Sequence, residues 1–97
     1  MPEMHFEVEW PDGRVERCYS PSLVVREHLD VGRIYPVSDF VGRVGTALEI
    51  ASERVRQKYG FACSMAMDQL AQIESTASNF SAGDPIRIVD FDPEVSA

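Results

Sequence analysis

Basic side chains are scarce in this chain. Nine Lys and Arg residues, of which only Lys58 is a lysine, stand against 16 Asp and Glu among 97 residues, for a formal net charge of −7. A surface that holds a phosphate backbone needs a basic stripe. The only local gathering, Arg54, Arg56 and Lys58, reads as a solvated face with favourable charge near a helix C-terminus. Nucleic acid is therefore not an expected partner. No apolar run approaches the ~18 residues of a membrane span, and the opening MPEMHFEVEW lacks the basic and apolar regions of an export signal. The expectation is a cytoplasmic protein with no membrane partner. Cysteine is also sparse, at two residues. Cys18 and Cys63 read as free thiols packed like small hydrophobes. His5 and His28 are isolated and no CxxC occurs, so neither a metal nor a cofactor is expected. GxSxG, GxGxxG and phosphate-loop patterns are absent as well.

What is present is patterning. A hydrophobic content of 44% supplies one core for a single α+β domain over residues 1–97, with 92–97 as a short tail. Met4, Phe6, Val8 and Trp10 alternate with His5, Glu7 and Glu9, the period of a half-buried strand. Pro11-Asp12-Gly13 suits a three-residue hairpin loop. That loop sets Phe6 opposite Cys18 and Val8 opposite Glu16. A one-residue slip would instead turn Val15 and Tyr19 inward. Pro21 ends the second strand, and Ser22 caps a short helical stretch over Leu23–His28. Arg33–Val37, extended around Pro36, reads as a connector with room for a brief strand.

The strongest helical period follows. Ser38 is placed to cap, and Phe40, Val41, Val44, Leu48, Ala51, Val55 and Tyr59 recur every three to four residues. Gly60 then ends the helix. Gly42 and Gly45 inside it suggest close packing against another helix. A second helix is expected from about Cys63 to Phe80, with Cys63, Met67, Leu70, Ile73, Ala77 and Phe80 as its apolar stripe. The tight link makes the two helices antiparallel neighbours. A last strand runs Ile86–Phe91, with Ile86, Ile88 and Asp90 opposing Arg87, Val89 and Phe91. The predicted fold is a two-layer β-β-α-α-β sandwich. Its three-stranded sheet, the N-terminal hairpin plus the C-terminal strand beside the first, is covered on one face by the helix pair. Open sheet edges and an open face invite a second copy.

Chemistry-bearing residues are few. The carboxylates at Glu3, Glu7, Glu9, Glu16, Asp84, Asp90, Asp92 and Glu94 read as solvated strand edges that discourage aggregation. One locus stands out. Cys63 and Ser64 lie at the expected start of the second helix, where unpaired N–H groups favour anions and lower a thiol pKa. Tyr59 and Lys58 are near enough in sequence to complete a small anion pocket. Equally, Ser64 is a capping residue and Cys63 falls on the apolar stripe.

Three strings carry a resemblance: WPDG followed by RCYSPSLVV, then YPVSDFV, then ASERVRQKYGFACSMAMDQL. In this order they resemble the small nitrogen starvation response proteins encoded beside a nitrilase in certain bacterial gene clusters. The likeness runs from Met1 to about Phe80 and is less specific over the last strand. It implies a bacterial cytosolic protein whose gene neighbours include a nitrilase, a radical-type enzyme, an acetyltransferase and a flavin oxidoreductase. It supplies no catalytic residues. The leading expectation is a non-enzymatic accessory protein, either a homodimer or a subunit that docks on an enzyme of its cluster. The alternative is a small-molecule or anion binder, or an enzyme, using Cys63.

Overall fold

The computed structural model describes residues 3–61 and 64–93, and its architecture begins with the N-terminal alternation. On β1 (Met4–Glu9), Met4, Phe6 and Val8 are buried, while His5, Glu7 and Glu9 are half-buried on the opposite face. The following turn closes through the Gly13 N–H, which donates to the Trp10 carbonyl at 2.8 Å. Gly13 takes φ +89°, a backbone geometry that a β-carbon resists. The Trp10 N–H donates to the Arg14 carbonyl at 2.8 Å. This sets β2 (Val15–Ser20) with Val8 opposite Glu16 and Phe6 opposite Cys18. The one-residue slip is excluded, and Cys18 is carried into the core, fully buried.

After β2, the Ser22 hydroxyl accepts from the Val24 N–H and caps a 3-10 helix, Leu23–Glu27. Next comes the principal correction. The sheet has four strands, not three, in the order β2-β1-β4-β3. Ile34–Pro36, within the segment expected as a connector, is β3 and pairs antiparallel with β4 (Pro85–Asp92). The pairing sets Ile34 opposite Arg87 and Tyr35 opposite Ile86. Three residues ending in proline carry almost no local strand signal; the strand exists because β4 offers its second edge.

β4 lies beside β1, as expected, and runs antiparallel to it. Its alternation is not as expected. The register shifts between Glu7 and Val8: Val8 faces Ile88 but Glu7 faces Asp90, so Val89 is an extra residue in the ladder. Beyond this bulge Phe91 turns inward and Asp90 outward. Apolar residues at both parities thus serve one buried face.

Helix α1 (Val37–Tyr59) lies across that face and buries Val37, Phe40, Val44, Ala47, Leu48, Ala51 and Ser52. Ser38 does not cap it, because Ser38 is already the second helical residue. The first N–H groups are taken by the loop before β4 instead: Val37 donates to the Asp84 carbonyl at 2.9 Å and Ser38 to that of Ala82 at 3.0 Å. Gly60, at φ +86°, ends the helix with its N–H on the Arg56 carbonyl, the expected glycine stop.

Helix α2 (Ser64–Ala77) is shorter than expected, and its buried stripe is Ala66, Leu70, Ile73 and Ala77. Met67, assigned to that stripe from its spacing, is 42% exposed. The expected start at Cys63 lies outside the described residues. At the other end, i→i−3 bonds from Asn79 and Phe80 tighten the chain out of the helix. Phe80 then stacks on Trp10, with centroids 5.8 Å apart, while Phe40 meets the same indole edge-on at 5.9 Å. Because the loop after α2 reaches the first turn of α1, the two helices run antiparallel.

Gly45 and Gly42 do not mark close packing. A β-carbon at Gly45 would meet Leu70 at an ordinary 3.8 Å, and one at Gly42 would meet nothing within 4 Å. Finally, α2 closes one sheet edge: the Gln69 Oε1 accepts the Tyr19 N–H at 2.9 Å. The result is an α+β fold with two helices on one face of an antiparallel sheet.

Candidate functional site

The described residues on either side of the helix junction are mostly exposed. Past Ser52, the last two turns of α1 bury nothing fully, and Val55 is their only half-buried residue. Tyr59 is 54% exposed, Phe61 68%, Met65 59% and Met67 42%. Four large apolar side chains are thus exposed within nine residues of sequence. They contribute nothing to the core.

Charge differs here too. Between residues 53 and 68 the chain carries Arg54, Arg56 and Lys58 against Glu53 and Asp68, net +1, so the remainder carries −8. Arg56 grips Glu53 through two guanidinium nitrogens, with Nε at 2.8 Å. This pairing holds the Glu53 carboxyl below its usual range and the Arg56 guanidinium above its own. The Lys58 ammonium sits over the Tyr59 ring, 5.6 Å from its centroid, a cation–π geometry. Arg54 turns back to the body, donating to the Ser22 hydroxyl at 3.1 Å.

Of the residues singled out from the sequence, Lys58, Tyr59 and Ser64 are all at this junction and all exposed. Ser64 opens α2. Cys63 lies outside the described residues. The other thiol, Cys18, is packed as a small hydrophobe, and burial, with Glu16 nearby, pushes its pKa well above the ordinary value. Spacing did not single out Phe61 or Met65, and it placed Met67 in the buried stripe. Phe61 follows the helix-ending glycine, and Met65 lies off the α2 stripe; in both cases the usable signal was an apolar residue with no core position to fill.

The carboxylates of the sheet are more ordered than a solvated fringe. On the face away from the helices, Arg17 reaches Asp92 at 2.7 Å and Glu7 at 3.9 Å, and Arg87 reaches Glu9 at 3.3 Å. Glu16 instead accepts the Trp10 indole N–H at 3.0 Å. Among the described residues, no group of three or more His, Cys, Asp or Glu side chains is placed to hold a metal ion. No helix among them is long and apolar enough to cross a membrane.

No curated protein and no solved structure matches the chain. A family model does, over residues 5–91, a span from β1 almost to the end of β4 that takes in both helices and their junction. On that match the chain belongs to the family described as nitrogen starvation-induced protein NitG.

Proposed function

We propose that this chain is a cytoplasmic, non-enzymatic accessory protein of nitrogen-limited metabolism that docks on an enzyme through the junction of its two helices. The observation that carries the reading is the exposure of Tyr59, Phe61, Met65 and Met67 on a segment of net charge +1 in an acidic molecule. Aromatic and thioether side chains are adaptable anchors for a partner's groove. Lys58, with Arg56 beside its Glu53 partner, favours a groove with an acidic rim. Family membership supports the metabolic setting, and the resemblance makes a co-encoded nitrilase the first enzyme to test.

Size favours an enzyme over a second copy. The four exposed side chains present roughly 450 Å², whereas a stable interface takes about 800 Å² from each partner. Two such junctions, each net positive, make a weak self-complement. Anchors inserted into a preformed groove need less area, because a few buried residues carry most of the binding energy.

The test is a photo-crosslinking residue placed at Phe61 in the full chain, expressed in nitrogen-starved cells, with the same residue at Gln72 as a control. The expected result is a heteroprotein adduct from position 61 alone, reproduced with the purified enzyme and lost in Phe61→Ser/Met65→Ser. A strictly monomeric protein with no junction-dependent partner overturns the reading. So does a Cys63 that labels faster at neutral pH than an ordinary thiol and is protected by a small anion; that result would make the junction a chemical site.

A further inference from the structure

On the sheet face away from the helices, at the end of the sheet near the β1–β2 turn, a pocket of about 230 Å³ is bordered by Glu9, Trp10, Pro11, Ile34, Pro85 and Arg87. It lies far along the sheet from the helix junction and owes nothing to the docking reading. We infer that this pocket binds a small zwitterion with an apolar side group, an α-amino acid in chemical class.

Three observations converge on that class. First, the pocket contains one charge of each sign. Arg87 and Glu9 face each other across β4 and β1, joined by a single contact from Nε to Oε1 at 3.3 Å. Among the described residues the Arg87 Nη groups and the Glu9 Oε2 make no hydrogen bond. An exposed single-contact pair is weak and largely solvated, so both groups keep capacity for a further partner. An ammonium and a carboxylate on one carbon lie roughly 3 Å apart, close to the 3.3 Å of the pair, so a ligand can lie beside it and set an opposite charge against each group without parting them: the ligand carboxylate lies on the guanidinium fork and its ammonium on Glu9.

Second, the flank is apolar where folding does not require it. Ile34 points away from the core and is 60% exposed. With Pro11 and Pro85 it forms a wall beside the charges. The neighbouring Arg17–Asp92 pair, at a shorter 2.7 Å, does not border the pocket. Third, the volume falls below the range of about 300 to 1,000 Å³ typical of sites for drug-sized ligands. A single amino acid fits a space of that size.

The experiment is a titration of the isotope-labelled full chain, followed by amide and arginine Nε resonances, with L-leucine, isopentylamine and isocaproate up to about 10 mM. The two analogues each lack one charge of leucine. The inference expects saturable shifts at Ile34 and Arg87 with leucine, and affinity at least about tenfold weaker for either analogue. In Glu9→Gln, leucine should weaken by about tenfold while isocaproate does not weaken. That crossing separates recognition of the ammonium from a general loss of the site. Absence of saturation with leucine, or equal binding of all three probes, overturns the inference. Loss of junction-dependent crosslinking with leucine binding intact would leave it standing alone.

Discussion

The indole of Trp10 does two jobs. Its rings lie between Phe40 and Phe80, tying the hairpin to both helical segments, and its N–H satisfies Glu16, whose position on β2 faces the core side. Trp10→Phe keeps most of the stacking but leaves the Glu16 carboxylate without its donor. The expected cost is about 2 kcal/mol in denaturant unfolding. If the hydrogen bond is the cause, most of that loss disappears when Glu16→Gln is combined with it. Cys18 makes a prediction of a different kind. Burial favours the neutral thiol in the folded state. The folded chain therefore keeps a proton that the unfolded chain begins to release near pH 8.5. Stability from this group is intact below that pH and falls above it, by up to about 1.4 kcal/mol per pH unit. Cys18→Ala is expected to flatten the alkaline decline relative to the parent protein. Parallel stability curves from about pH 8 to 10.5 would show that the thiol ionises inside the fold.

At the scale of elements, the local signals and the long-range ones part company. The hairpin was legible because turn chemistry is written in neighbouring residues: Pro11, Asp12 and Gly13 determine the register of twelve strand positions. The end of α1 was legible for the same reason at Gly60. β3 was legible only as a connector with room for a brief strand, since its three residues become a strand only against β4, some fifty positions away. The bulge at Val89 likewise depends on what β1 needs opposite Glu7. The Ser38 cap failed because loop carbonyls from Ala82 and Asp84 had already taken the first N–H groups. Locally, Lys58, Tyr59 and Ser64 were legible as members of one junction. Phe61 and Met65 were not, because a helical period describes what is buried and is silent on what is left out; Met67 was misplaced into the buried stripe by that same period. Helix α1 also yields a paired prediction. Gly42 is solvent-exposed and helical with space around it, so Gly42→Ala is expected to stabilise by about 0.5–1 kcal/mol. Gly60, at φ +86°, should respond in the opposite sense, with Gly60→Ala destabilising by about 1 kcal/mol. Thermal unfolding of the two variants side by side checks both signs.

For the whole molecule, the question is why a small domain leaves its most adhesive side chains in water. Folding stability does not explain it, since the core is complete with α1 ending its burial at Ser52 and α2 burying only four positions. The exposed set is therefore separable from the fold. Phe61→Ser/Met65→Ser should unfold within about 0.5 kcal/mol of the parent, while binding to the partner enzyme collapses. The charge distribution adds a second handle. A net +1 junction on a body of −8 approaches an acidic groove with attraction at the contact and repulsion elsewhere. Salt screens both over a Debye length of about 10 Å at 0.1 M. Close to the groove the contact term dominates, so raising ionic strength should slow association more than it speeds dissociation. Charge reversal at Lys58 should lower the association rate by more than its small cost in melting temperature at the helix end accounts for. An association rate indifferent to both salt and Lys58→Glu would mean that the cationic residues merely end a helix, and that the apolar side chains alone choose the partner.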